Sequence, residues 1–130
     1  MFLPTAKRTK IKDHVLGKAY DLSFAFIDSQ KSHELNLHYR GKDKPANVLS
    51  FPLAPDAGEI LIDKEVVKTE AEALYLFIHG ILHLKGYDHS SKMENKEQEL
   101  VKLFSITNEK HHHRSGYREL RHKDCGGGSC

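Results

Sequence analysis

The sequence predicts an α+β fold, in which helices pack on a small mixed sheet around one central helix that carries candidate metal ligands. The candidate elements follow the order α-β-α-β-β-α-α, and only a short turn separates the last two strands, which are therefore expected to pair antiparallel. One helix also has an apolar stripe wide enough to occupy the core. The chain of 130 residues is expected to form one domain over residues 1–108, followed by a tail over residues 109–130.

The first helix and the first strand are predicted from their periodicities. Residues 5–20 place apolar side chains at near-helical spacing, so we expect a helix that ends around Tyr20. Residues 22–27 alternate and then become fully apolar, which is typical of a strand that is buried on at least one face.

A short second helix and a basic loop are predicted next. Ser29 or Ser32 can cap this helix, because a hydroxyl oxygen accepts from an unpaired backbone N–H of the first turn. The helix is expected to reach Tyr39, and residues 40–45 then form a loop that concentrates positive charge.

Two strands joined by a turn follow this loop. Residues 47–53 predict the second strand, and Pro52, which has no N–H for a ladder, makes it an edge strand or ends it. Residues 54–58 have the composition of a turn, and residues 59–62 predict the third strand.

The central helix is predicted to begin at a capping box. Thr69 and Glu72 have the spacing at which the hydroxyl and the carboxylate each accept from an otherwise unpaired backbone N–H. The apolar stripe of this helix comprises Leu74, Phe77, Ile78, Ile81 and Leu82. Such a wide stripe places the helix in the middle of the core.

A second capping box, Ser91 and Glu94, opens the last helix, which is expected to fade around Asn108. One face of this helix comprises Met93, Glu97, Leu100, Val101 and Phe104. We expect this face to close the core.

Three histidines on and beyond the central helix form a candidate metal site. His79 and His83 lie four residues apart and therefore share one helical face. Gly86 can adopt the left-handed conformation that ends a helix, so the chain can turn and bring His89 back toward that face. Three imidazole ligands leave the fourth position of a tetrahedral zinc ion open, as in catalytic zinc sites.

Composition and charge limit the partners. No apolar run reaches the roughly 20 residues that a membrane span requires, and no signal-peptide core follows the first basic residues. We therefore expect no membrane partner and a cytoplasmic location. Residues 7–18 carry five cations and one anion, a run that either contacts phosphate or forms a solvated face.

The tail has a different character from the rest of the chain. It is rich in histidine and arginine, has no apolar face, and is expected to be disordered. Cys125 and Cys130 form neither a zinc-ribbon spacing nor a disulfide framework. The sequence leaves open whether this segment is natural, vector-derived or frameshifted.

Two long motifs resemble those of one known family. They are the histidine segment over residues 79–89, HGILHLKGYDH, and an upstream segment over residues 34–52, ELNLHYRGKDKPANVLSFP. Over roughly residues 22–104, the chain resembles the YbeY family of bacterial endoribonucleases. The resemblance does not extend into the tail.

The resemblance implies a zincin-like fold of the YbeY type and a set of site residues. By it, His79, His83 and His89 would bind one zinc ion per chain, with other divalent transition metals as alternatives. Arg40 would be a functional residue of the cleft, adding positive charge where the transition state of phosphodiester cleavage gathers negative charge.

The resemblance also implies a substrate and partners. The expected activity is that of a single-strand-directed endoribonuclease in 16S rRNA 3′ end maturation and ribosome quality control. RNA is the main expected partner, with ribosomal proteins or a ribosome-associated GTPase as further candidates. The proton carrier stays open between the activated water and a carboxylate such as Glu59, whereas Asp88 is expected to orient an imidazole or to cap a turn.

Two alternatives remain at this point. The histidine spacing is similar to a metalloprotease signature, but Gly80 stands where those enzymes carry a glutamate base. A non-catalytic, metal-stabilised ribosome assembly factor would instead need a fourth protein ligand, for which His111 or Cys125 is a candidate.

Overall fold

The computed structural model describes residues 3–104 and confirms the predicted order of elements. The tail therefore lies outside the described residues, and the prediction of one domain over residues 1–108 stays a prediction. None of the helices in the described part has both the length and the apolar character needed to cross a bilayer. The elements are α1 (Thr5–Val15), β1 (Asp21–Ile27), α2 (Ser29–Arg40), β2 (Val48–Ala54), β3 (Ala57–Asp63), α3 (Glu70–Lys85) and α4 (Ser91–Phe104).

The three strands form one mixed sheet in the order β1-β3-β2. β3 pairs parallel with β1, from Asp21 opposite Ala57 to Ile27 opposite Asp63. It pairs antiparallel with β2, as the short turn predicts. The nearly continuous burial of β3 follows from its central position. β2 is an edge strand, which is where a ladder tolerates Pro52.

Helices cover both faces of the sheet. Ile60 and Ile62 of β3 join the apolar side of α3 in the main core, and α1 and α4 pack against α3. α2 covers the other face, over a smaller cluster that contains Leu49 and Leu61. α3 is buried without interruption from Ala73 to Leu82, so it is the central helix that its apolar stripe predicts.

The first helix is shorter than the sequence predicts. It ends at Val15 rather than around Tyr20, because Gly17 has a φ of 101° that cannot continue a helix. The Lys12 ammonium group donates to the carbonyl oxygens of Gly17 and Lys18, at 3.4 and 3.1 Å. The apolar spacing continues past this break, so periodicity alone did not reveal it.

The N-cap of α2 also differs from the prediction. Asp28 caps this helix, since its carboxylate accepts from the Lys31 N–H at 2.8 Å. Neither Ser29 nor Ser32 is the cap, because both hydroxyls are engaged elsewhere. Ser29 donates to the Asp63 carboxylate at 2.7 Å.

The predicted N-cap of α3 is confirmed, but the reciprocal bond of its capping box and the cap of α4 are each displaced by one residue. Thr69 accepts from the Glu72 N–H at 3.1 Å, as predicted, but the Glu72 carboxylate accepts from the Lys68 N–H at 2.6 Å. At the start of α4, the hydroxyl of Ser90 rather than that of Ser91 accepts from a first-turn N–H, at 3.3 Å.

The buried hydroxyl of Ser32 joins α2 to the segment that leads into β2. It donates to the Ala46 carbonyl oxygen at 2.6 Å and accepts from the Ala46 N–H at 2.9 Å. Both residues are almost fully buried, so water cannot replace these bonds. The pair therefore fixes the first turn of α2 relative to the segment before the edge strand.

We expect Ser32→Ala to lower the free energy of unfolding by about 2 kcal/mol, because both backbone groups of Ala46 lose a buried partner. Urea denaturation measures the change. The control is Ser23→Ala on the exposed side of β1, which is expected to stay within about 0.5 kcal/mol. Equal effects of the two substitutions would contradict this account.

Candidate metal centre

Three imidazoles converge at the C-terminal end of α3. His79 and His83 lie on successive turns of one helix face, as predicted. Gly86 takes a left-handed conformation, with a φ of 112°, and its N–H donates to the His83 carbonyl oxygen at 3.0 Å. The chain then folds back and places His89 beside the two helical histidines.

The nitrogen positions fit a tetrahedral metal ion. The Nε2 atom of His83 lies 3.2 Å from Nε2 of His79 and 3.0 Å from Nε2 of His89. Nitrogens bound at about 2.0–2.1 Å to a tetrahedral zinc ion would lie roughly 3.3 Å apart, close to both distances. One ligand atom from each histidine lies within 4.8 Å of the others. The cluster could therefore hold a metal ion.

Exposure to solvent increases across the cluster. His79 is 2% exposed, His83 is half-buried, and His89 is exposed. Protein thus covers the cluster on the side of His79, while the side of His89 is open. This arrangement leaves access for a water molecule or a substrate atom at a fourth coordination position.

The environment of the cluster keeps the imidazoles of His83 and His89 neutral near pH 7 by lowering the pKa of each. Burial, together with the nearby imidazoles of His79 and His89, lowers the pKa of His83 to about 4. Burial likewise lowers the pKa of His89. A metal ion binds neutral imidazole, so these two side chains are in the ligating form without first losing a proton.

A carboxylate from α4 orients the most buried imidazole. Glu97 accepts a hydrogen bond from Nδ1 of His79, and both side chains are 2% exposed. Nδ1 therefore carries the proton, which directs the Nε2 lone pair toward the other two histidines. Asp88 does not orient this imidazole. Within residues 3–104, its backbone carbonyl oxygen accepts from the Ser90 hydroxyl at 3.2 Å.

The sequence contains a feature that indicates this contact, a carboxylate on an apolar helix face, which helix periodicity does not explain. Glu97 belongs to the predicted buried face of α4, among Met93, Leu100 and Val101, and it is buried in the structure. A carboxylate in an otherwise apolar stripe is almost always paired when it is fully buried. Its partner could not be identified without the packing of α4 on α3.

Arg40 lies near the cluster but belongs to a different helix, α2. It is the last residue of α2 rather than part of the predicted loop, because Gly41, with a φ of 71°, ends the helix. After burial and the neighbouring imidazoles, the guanidinium charge of Arg40 further lowers the pKa of His83 and His89. Arg40 and His83 share a cavity of about 340 Å³, which is also lined by Tyr39, Val48, Ser50 and Phe51.

The residue that follows His79 faces the sheet rather than the cluster. A Cβ atom at Gly80 would lie 3.1 Å from Ser50 Oγ and 3.2 Å from Cδ1 of Ile60. The Ser50 hydroxyl also donates to the Gly80 carbonyl oxygen at 3.2 Å. A glutamate at this position would point into packed protein, so the site has no place for the base of a metalloprotease.

Glu59 lies on the face of the sheet opposite α3. Its neighbours in β3 face α3, since a Cβ atom at Gly58 would lie 3.0 Å from Leu84 and Ile60 packs under Gly80. Successive side chains of a strand point to opposite faces. We therefore assign Glu59 no role in proton transfer at the histidine cluster.

Cations of the basic run near the N-terminus have structural contacts. Lys7 lies 3.8 Å from the carboxylate of Glu70. The guanidinium of Arg8 lies 4.5 Å from the ring centroid of Phe24, and Lys12 binds the carbonyl groups beyond α1. These contacts favour a structural role for the run over phosphate binding.

Comparisons with known proteins give a family and a similar solved structure. The family model described as Endoribonuclease YbeY matches residues 3–105. A solved structure similar to this chain is the solution structure of TM1509 from Thermotoga maritima, which is 32% identical to it with a TM-score of 0.52. The match covers 75% of this chain and 75% of the Thermotoga maritima chain. The family match thus includes all seven helices and strands described above.

We expect Glu97→Gln to lower zinc affinity about 10- to 100-fold, because a neutral amide holds the Nδ1 proton of His79 less strongly than a carboxylate does. Competition with a chromophoric chelator measures the affinity. Glu99→Gln is the matched control on α4, since Glu99 is exposed and pairs with Lys96 at 3.3 Å. Unchanged affinity in a folded Glu97→Gln protein would show that this hydrogen bond does not support a metal site.

Proposed function

This chain belongs to the YbeY endoribonuclease family, and on that premise we propose that it is a single-strand-directed endoribonuclease acting in 16S rRNA 3′ end maturation and ribosome quality control. One observation carries the proposal. Three imidazole nitrogens converge beside a cavity that also holds the guanidinium of Arg40. A metal site next to a fixed cation suits the cleavage of an anionic phosphodiester.

We assign one zinc ion per chain to His79, His83 and His89. Three neutral nitrogen donors suit zinc, and the same set accepts other divalent transition metals. When bound, the ion supplies Lewis-acid chemistry, which polarises the phosphodiester and makes water a stronger nucleophile near neutral pH. Glu97 holds the Nδ1 proton of His79 and so keeps its Nε2 atom available.

Arg40 binds the phosphodiester and stabilises the charge that develops on it. A guanidinium group stays protonated at any physiological pH and presents several N–H donors that match phosphate oxygens. Negative charge gathers on those oxygens in the transition state, so a fixed cation beside His83 lowers the barrier. The position of Arg40 at the end of a helix anchored through Ser32 restricts where that charge can move.

The substrate and partners follow from the same assignment. The cavity lies between the end of α2, the edge strand β2 and His83, where a flexible single strand can present one phosphodiester. Ribosomal RNA is the proposed substrate, and ribosomal proteins or a ribosome-associated GTPase are candidates for delivering it. The cytoplasm, where ribosomes assemble, is the proposed location.

We expect His83→Ala to abolish cleavage of a single-stranded 16S rRNA 3′ fragment and to lower the zinc content while most of the fold remains. Gel assays, metal analysis and circular dichroism measure the three properties. His33→Ala is the control, since this exposed side chain pairs with Asp43 away from the cluster. A chelator should reproduce the loss in the native protein. Equal cleavage by the native and His83→Ala proteins would indicate a contaminating nuclease.

We expect Arg40→Ala to lower kcat roughly 100-fold or more without changing zinc content, because it removes charge stabilisation but no ligand. Arg40→Lys should recover part of the activity, since it restores the charge without the planar donors. Lys42→Ala is the control substitution, since Lys42 is a cation in the loop that follows α2. Undiminished cleavage by an Arg40→Ala protein with full zinc content would remove Arg40 from the mechanism.

A further inference from the structure

An aromatic pair, an exposed Tyr39 and a half-buried Phe51, borders the cavity that holds Arg40 and His83. Tyr39 is 63% exposed, although it lies at the end of a helix with a buried side. Its ring centroid lies 5.4 Å from that of Phe51, with the two planes tilted by 60°. Both rings line the same cavity as Arg40 and His83. Burial in the core therefore does not explain the position of Tyr39.

Contacts with neighbouring rings hold Tyr39 in place. The imidazole of His38 meets it edge-on, with the ring centroids 4.4 Å apart. Phe51 is itself anchored, because it packs against the cluster that contains Leu49 and Leu61 on the α2 side of the sheet. Tyr39 thus presents an exposed aromatic surface whose orientation is fixed before any ligand arrives, which lowers the entropic cost of binding.

The chemistry around the pair identifies what it can bind. Aromatic side chains beside a cation are the usual means of holding single-stranded nucleic acid, since every base has a face that can stack and every linkage carries a charge. Here the residue next to Tyr39 in the chain is Arg40, the proposed phosphate ligand. A base stacked on Tyr39 would belong to a nucleotide close to the phosphodiester held at Arg40.

We propose that Tyr39, supported by Phe51, is a stacking subsite for an unpaired nucleobase next to the scissile phosphodiester. The proposal rests on the proposed function and explains how that site selects single strands. A base in a duplex is already stacked and paired, so it cannot turn onto Tyr39 without the energy of unstacking. The subsite accepts any base, because stacking does not read base edges.

An RNA strand fits this surface better than a protein partner does. The cavity is lined by polar and charged groups, Arg40, Ser50 and His83, alongside the aromatic rings. Tyrosine and arginine also occur at protein interfaces, but only an RNA strand supplies both a base face for Tyr39 and phosphodiesters for Arg40 and the histidine cluster. A protein occupant is an outcome that the following experiment separates.

The test uses the zinc-loaded full chain and a single-stranded 16S rRNA 3′ fragment, with a series of fragments that each carry one abasic nucleotide near the cleavage site. Binding is measured by fluorescence anisotropy in parallel with cleavage. We expect one abasic fragment to bind the native protein about 5- to 150-fold more weakly than the intact fragment, the range of one stacked base. Tyr39→Ala should bind the intact fragment about 5- to 150-fold more weakly than the native protein does. It should bind the intact fragment and that abasic fragment equally.

Two further variants separate stacking from other causes. Tyr39→Phe keeps the ring and should behave like the native protein, so an equal loss in this variant would assign the effect to the hydroxyl and overturn stacking. Leu37→Ala removes another exposed apolar side chain of α2, one that does not line the cavity, and should leave binding unchanged. Urea denaturation of each variant establishes that the fold is retained.

The outcomes distinguish the subsite from the nuclease assignment. If Tyr39→Ala binds and cleaves the intact fragment as well as the native protein does, the subsite is overturned, a protein occupant is favoured, and the nuclease assignment stands. If the native protein binds but does not cleave RNA, and Tyr39→Ala binds the intact fragment more weakly, the subsite is supported and the nuclease assignment is overturned. A native protein that neither binds nor cleaves RNA would overturn both.

Discussion

A buried hydrogen bond between His79 and Glu97 joins the helix that carries two of the candidate ligands to the helix that closes the core. Both side chains are almost fully removed from water, so loss of either partner would leave a polar group buried and unpaired. The same bond fixes which nitrogen of His79 carries the proton. One contact therefore sets the direction of the first candidate ligand and adds to the apolar packing of α4 on α3, and the buried Met93 and Leu100 beside Glu97 keep solvent from weakening it.

Close packing of α3 on the sheet sets the rest of the geometry. The absence of a side chain at Gly80 lets the helix approach Ser50 and Ile60, which brings His83 over the edge strand. The first turn of α2 is held near the same edge by the two bonds between Ser32 and Ala46, and nearer its C-terminal end the Asn36 amide donates to the Lys44 carbonyl oxygen at 2.8 Å. Arg40 and His83 meet in one cavity because both helices are anchored to β2 or to the segment leading into it.

The proposed site separates neutral donors from permanent charge. The lowered pKa values of His83 and His89 keep these two imidazoles neutral near pH 7, while the guanidinium of Arg40 stays protonated. His79, His83 and His89 would hold a metal ion that supplies Lewis-acid chemistry, and Arg40 would bind the phosphodiester beside them. Tyr39, next to Arg40, would hold an adjacent base, so α2 would supply base binding and charge stabilisation, while α3 and the turn after it would hold the metal ion.

The sequence by itself determined the order of the elements, the central helix, the grouping of the three histidines and the family, which the family model confirms. These features follow from local spacing, because helix periodicity and the conformation of Gly86 act within a few residues. Only the tertiary structure decided that Glu97 pairs with His79, that Arg40 lies beside His83, and that Glu59 faces away. Such pairs are set by the packing of distant elements, which local patterns do not encode, and for the same reason Asp28 rather than a nearby serine caps α2.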